Sequence, residues 1–156
     1  MRLIAAGLFA SLAGFLAVAA DKDADQAKEL AIAFVKAVKA KDIDAVMKTV
    51  DVPFLVVVNR KPTIIEKLDD LRSDLKSKLD MAQNLDKLPN EVGDFLDLPG
   101  IRKKLETNPD KDVIKLVEAV LGEKGYAVGV GKSGERGVAV FVRIKDGKAA
   151  IVGLPR

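Results

Sequence analysis

The chain has 156 residues, 49% of them hydrophobic and 31% charged, with 26 basic and 23 acidic side chains and a formal net charge of +3. That composition belongs to one ordinary globular domain and excludes a disordered or fibrous chain. Basic residues interleaved with acidic ones leave no nucleic-acid footprint, and the absence of His and Cys removes the commonest general base, the thiol nucleophile, the soft metal ligands and any disulfide.

Met1 to Ala20 differs in character from the rest of the chain. Arg2 is a minimal positive start, Leu3 to Leu16 is uncharged, and Ala17-Val18-Ala19-Ala20 offers the small residues that a signal peptidase needs. Residues 1–20 are read as a cleaved secretory signal, with the protein in the periplasm or outside the cell. Gly7, Ser11 and Gly14 interrupt the run short of the ~20 apolar residues of a membrane span. Contact with a membrane is therefore expected only through an uncleaved leader. Residues 21–156 are read as a single domain.

Ala27, Leu30, Ala31, Phe34, Val35 and Val38 recur at spacings of three and four, one stripe of a long amphipathic helix with Lys36 and Lys39 near its end. Asp42 has the character of an N-cap for a short second helix carrying Ile43, Val46, Met47 and Val50, which Pro53 terminates. Phe54-Leu-Val-Val-Val58 reads as a strand buried on both faces. Asn59 to Pro62 is a turn, and Thr63-Ile64-Ile65 returns as an edge strand. Leu68, Leu71, Leu75, Leu79 and Ala82 then mark a third helix.

A helical insertion is expected around 85–122, with short helices over Glu91–Leu98 and Ile101–Thr107. A further helix starts at Asn108-Pro109, turns Val113, Leu116, Val117, Val120 and Leu121 inward, and stops at Gly122. From Gly125 to Leu154 the chain reads as three strands. Asp146-Gly147 between Lys145 and Lys148 is a two-residue hairpin turn. That turn sets a register with Phe141 beside Val152, Val140 beside Gly153 and Ala139 beside Leu154, one face wholly apolar and the other apolar at one end and basic near the turn.

Gly129-Val-Gly131-Lys-Ser-Gly134 matches a dinucleotide-binding spacing, but such a loop works only when a helix comes next, and a strand does here. It is read as a hairpin loop. Asp69-Asp70, Asp94-Asp97 and Asp110-Asp112 lie at helix starts or on solvated faces and lack the calcium-loop pattern. No metal site and no cofactor are expected. Arg102-Lys103-Lys104 is read as a wet helix face, and Tyr126, the single Tyr, as a residue at the start of a strand.

Ala33-Phe-Val-Lys-Ala-Val-Lys-Ala-Lys-Asp-Ile-Asp-Ala-Val-Met-Lys-Thr-Val-Asp-Val-Pro-Phe54, followed by a helix and a terminal meander, resembles the opening of the nuclear-transport-factor-2-like (SnoaL-like) α+β superfamily. The resemblance implies a curved antiparallel sheet packed on helices as a cone, here preceded by a signal helix. It also implies an apolar cavity between sheet and helices. Face assignment nominates Phe34, Phe54, Tyr126, Phe141 and Arg143 as the lining of a ligand site, the Arg being the one polar anchor. No catalytic residue can be matched to the superfamily's isomerases, cyclases and dehydratases, so whether the chain is an enzyme is left open, with a non-catalytic role favoured.

Three functions are expected from this reading. The first is an exported, non-catalytic domain that binds a small apolar or anionic molecule or a protein partner. The second is a lyase or isomerase that uses a carboxylate desolvated opposite Tyr126. The third is a homodimer formed sheet to sheet through Phe141, Val152 and Leu154.

Overall fold

A computed structural model of the chain describes residues 10–58, 61–107, 111–132 and 137–155. Helix α1 spans Ala10–Lys39 and α2 Ile43–Met47; strands β1 (Val50–Val58) and β2 (Lys61–Ile65) follow, then α3 (Leu68–Met81). A single 3-10 turn at Leu85–Lys87 leads to β3 (Val92–Asp97), α4 (Leu98–Leu105) and α5 (Lys111–Leu121). Strands β4 (Gly125–Val130), β5 (Val138–Lys145) and β6 (Lys148–Leu154) complete the chain.

The backbone of α1 passes through the Ala20–Asp21 junction without a break, so residues 10–20 of the expected leader and the first amphipathic helix form one element. No helix among the described residues is long and apolar enough to cross a membrane. The apolar stripe does what its spacing implies: Ala27, Ala31, Phe34 and Val35 are buried against the sheet. Asp42 caps α2, its carboxylate accepting from the Ala45 amide at 3.0 Å. Pro53 does not end that helix. β1 has already begun at Val50, and Pro53 sits in the gap of the β1·β6 ladder between Val50 and Leu55, where its missing N–H costs no strand pairing.

The six strands form one sheet in the order β2-β1-β6-β5-β4-β3. It is curved and open, and it is mixed rather than antiparallel: β1 and β6 run parallel, while every other neighbouring pair is antiparallel. Asp146 (φ 53°) and Gly147 (φ 72°) both take the left-handed conformation of a primed two-residue turn, and Lys145 faces Lys148.

The register counted from that turn holds through Val142↔Ile151 and then slips, because Phe141 pairs with Gly153 and not with Val152. A bulge absorbs one residue there. Its effect is one of parity: Ile151 and Leu154 pack on the same side of the sheet, Val152 on the other.

Helices cover both faces. On one, α1, α2 and α3 bury Phe54, Val56, Val128, Val140, Val142 and Ile151. On the other, α4 and α5 bury Leu55, Phe141 and Val152. Gly125 is the point of closest approach on this second face; a Cβ there would lie 2.7 Å from Leu121, so the end of α5 rests directly on the β4 backbone.

The stretch expected to be a helix over Glu91–Leu98 is strand β3, paired with β4 and forming one edge of the sheet. Pro99-Gly100 lies inside the first turn of α4, with Asp97 as its cap accepting from the Gly100 amide at 2.9 Å, so the helix runs Leu98–Leu105 rather than Ile101–Thr107. The Asn108-Pro109 start lies outside the described residues. Val117, Val120 and Leu121 of α5 are buried as expected, Val113 and Leu116 partly so, and Gly122 follows the helix with φ +67°.

The sheet-to-sheet contact expected from the sequence would use Phe141, Val152 and Leu154. Phe141 and Val152 are 6% and 0% exposed beneath the chain's own helices, and Leu154 turns to the opposite face.

Candidate binding cleft

The five residues nominated from the sequence do not converge. Phe34 and Phe54, 3% and 0% exposed, are packed in the core between sheet and α1. They fill the interior that the cone was expected to leave open. One space on that side, of about 170 Å³, is lined by Phe34, Val38, Leu75, Leu79, Leu85 and Leu154.

Tyr126 points to the same side of the sheet, opposite Val142, and stacks on Phe95 with ring centroids 5.1 Å apart. The Lys28 ammonium lies 4.9 Å from the Phe95 ring centroid. Burial raises the Tyr126 phenol above its ordinary pKa, the negative charges of Asp23 and Asp97 add to that, and Lys124 opposes it. The lyase reading also needs a desolvated carboxylate. Among the described residues no charged side chain is buried.

Arg143 and Phe141 lie on the opposite face. The Arg143 guanidinium donates to Asp51 at 2.7 Å and to the carbonyls of Val52 and Val120, each at 3.3 Å. It fastens the end of α5 to β1. Beside it is a hollow of about 650 Å³ around Lys124, Lys145, Asp146 and Asp23, with the Asp23 carboxylate held by Lys124 at 3.1 Å. Two of its charges, Asp23 and Lys124, are engaged with each other, and its walls are polar and apolar in about equal measure.

Phe141 belongs to a different place. Between α4 and strands β3, β4 and β5 there is a cleft of about 560 Å³ whose walls are mainly apolar. Its floor is set by two strand pairings, Ala127↔Phe141 and Gly129↔Ala139, which put three small residues and one large one on a single face of the β4–β5 hairpin. Leu96 of β3, Ile101 and Leu105 of α4, and Pro155 stand around it, with Asp94, Lys104 and Thr107 at the rim.

The physical origin of the space is a difference between the two helices on this face. Leu121 of α5 reaches the backbone at Gly125, closing that end, whereas α4 is held further along the sheet by Leu98 and Ile101 and leaves Ala127 half-buried and Ala139 exposed. Small residues on the sheet beneath α4 leave a groove whose helix side is made by Ile101, Lys104 and Leu105. Volume and wall chemistry both fall within the ~300–1,000 Å³ range of small-molecule sites.

Only Phe141 of the sequence-nominated residues lines this cleft. Ala127, Gly129, Ala139, Leu96 and Lys104 were missed. Their signal was present as alternation: Ala127-x-Gly129 and Ala139-x-Phe141 place small residues on one face of two adjacent strands.

No family model matches the chain, and no curated protein matches it. The solved structures similar to it include two bacterial proteins. One, from Pseudomonas putida KT2440, is 8% identical over 86% of this chain and 84% of that chain, with a TM-score of 0.43. The other, from Shewanella oneidensis MR-1, is 14% identical over 83% of this chain and 94% of that chain, with a TM-score of 0.40. Both are described as NTF2-like proteins of unknown function.

Proposed function

We propose that the chain is a non-catalytic binding domain that takes a small apolar molecule into the cleft between α4 and the sheet. The supporting observation is the floor of Ala127, Gly129, Ala139 and Phe141 beneath a mainly apolar opening of about 560 Å³. A small molecule that covers this floor removes apolar surface from water at ~25 cal/mol per Å².

The test fills the floor without touching the core. Ala139 is solvent-exposed on the cleft side, so Ala139→Phe occupies the groove while the folded domain keeps its packing. Calorimetric titration with 1-decanol should show saturable one-to-one binding to the natural chain and at least about a tenfold weaker affinity in the variant, with melting temperatures agreeing within a few degrees. Equal affinity in the two proteins defeats the reading.

The leader Met1–Ala20 supports export of this binding domain. Mass spectrometry of the chain recovered from the periplasm or medium of a Gram-negative expression host should give a protein beginning at Asp21. Retention of Met1 in all of the recovered protein would remove export by cleavage.

A further inference from the structure

We propose that the occupant of the cleft is an amphiphilic monocarboxylate, held with its carboxylate against the Lys104 ammonium and its apolar body over Ala127, Ala139 and Phe141. This rests on the binding reading above and names its ligand class.

The charges at the rim carry the argument. The last turn of α4 holds Arg102, Lys103 and Lys104. Arg102 is engaged, its Nε donating to Glu118 at 2.7 Å. Lys104 is not: its ammonium makes no hydrogen bond or ion pair with any described residue, yet its side chain lines the cleft. Lys103 is exposed beside it, so the helix side of the mouth is positive.

Across the cleft the rim carries the opposite sign. Asp94 projects from β3 over Gly129, where an added Cβ would stand 3.3 Å from the Asp94 Cβ, and its carboxylate is likewise without a partner among the described residues. The sheet side therefore repels an anion and the helix side attracts one. An apolar body with a single carboxylate meets both conditions in one orientation only, head to α4 and tail along the floor.

Lys104 suits the role in form as well as charge. A long flexible stem lies along apolar surface and keeps its ammonium in water, so the head group can follow carboxylates on bodies of differing length. The Thr107 hydroxyl at the same rim donates to the Lys104 carbonyl at 2.8 Å, so it is not needed to explain recognition of the head.

Three probes sharing one ten-carbon body decide the matter: decanoate, 1-decanol and decylammonium, each titrated calorimetrically into the full chain below its micelle concentration. Decanoate should bind roughly three- to tenfold more tightly than 1-decanol, the range for a partly exposed charge-assisted contact, and decylammonium more weakly than either. Lys104→Met should bring decanoate to the level of 1-decanol. Equal binding of decanoate and 1-decanol to the natural chain overturns the head-group assignment alone, as does a preference that survives Lys104→Met or decylammonium binding tightest. Failure of all three to bind overturns the cleft reading itself.

Discussion

Val142→Asp should give a chain that does not fold. Val142 is fully buried near the middle of β5, paired with Tyr126 on β4 and Ile151 on β6, and sealed beneath α1. A carboxylate at that point loses its water and finds no cation, a penalty of several kcal/mol even if the group escapes by taking up a proton. Removing the valine side chain forfeits a further ~1.5–3 kcal/mol of apolar burial. Against a total stability of about 5–15 kcal/mol for a domain of ordinary size, the sum is decisive. Far-UV circular dichroism and size-exclusion chromatography read the outcome, with Val142→Ala as a folded control costing roughly 2 kcal/mol. A cooperative melt from Val142→Asp would show that the α1 face of the sheet is open to water.

Phe54→Ala should cost about 3–5 kcal/mol and lower the melting temperature by ~10–15 °C. Phe54 is fully buried at the junction of β1 with the helical layer, and β1 is held on both sides, by β2 and by β6. Truncation there leaves a void that a strand pinned by two ladders cannot collapse into. The experiment also separates two roles for the side chain. A residue lining an open ligand cavity would give a small change in melting temperature and a large one in binding. A shift below about 3 °C would return Phe54 to the lining of a site.

Much of the fold was legible where local chemistry decides the structure. Asp146-Gly147 demands a primed turn, and the stripe from Ala27 to Val38 has one way to be buried on a helix. Strand β3 was not legible because Val-Gly-Asp-Phe-Leu-Asp is short, acidic and only half-buried; its pairing with β4 makes it a strand, and that partner lies far along the chain. The parallel β1·β6 pair and the bulge at Val152 are likewise settled by what each strand meets. As for the site, large aromatic residues drew attention to the core they fill. The cleft is made by residues too small to fill it, and its cation sits in a triplet that reads as a solvated face until α4 is placed over the sheet.

The position of β6 also governs the order in which the molecule can be assembled. The β1–β2 hairpin forms near one end of the sequence and the β3, β4 and β5 strands near the other, and β6 is the sole strand hydrogen-bonded to both groups. Val50 waits for Ile151, and Leu55 for Gly153. Loop closure over about a hundred residues precedes any reward from that pairing, so it carries a larger entropic cost than the β1–β2 or β5–β6 hairpins. Until β6 arrives, the apolar stripe of α1 has only half a sheet to lie on, and the first half of the chain stays unfinished.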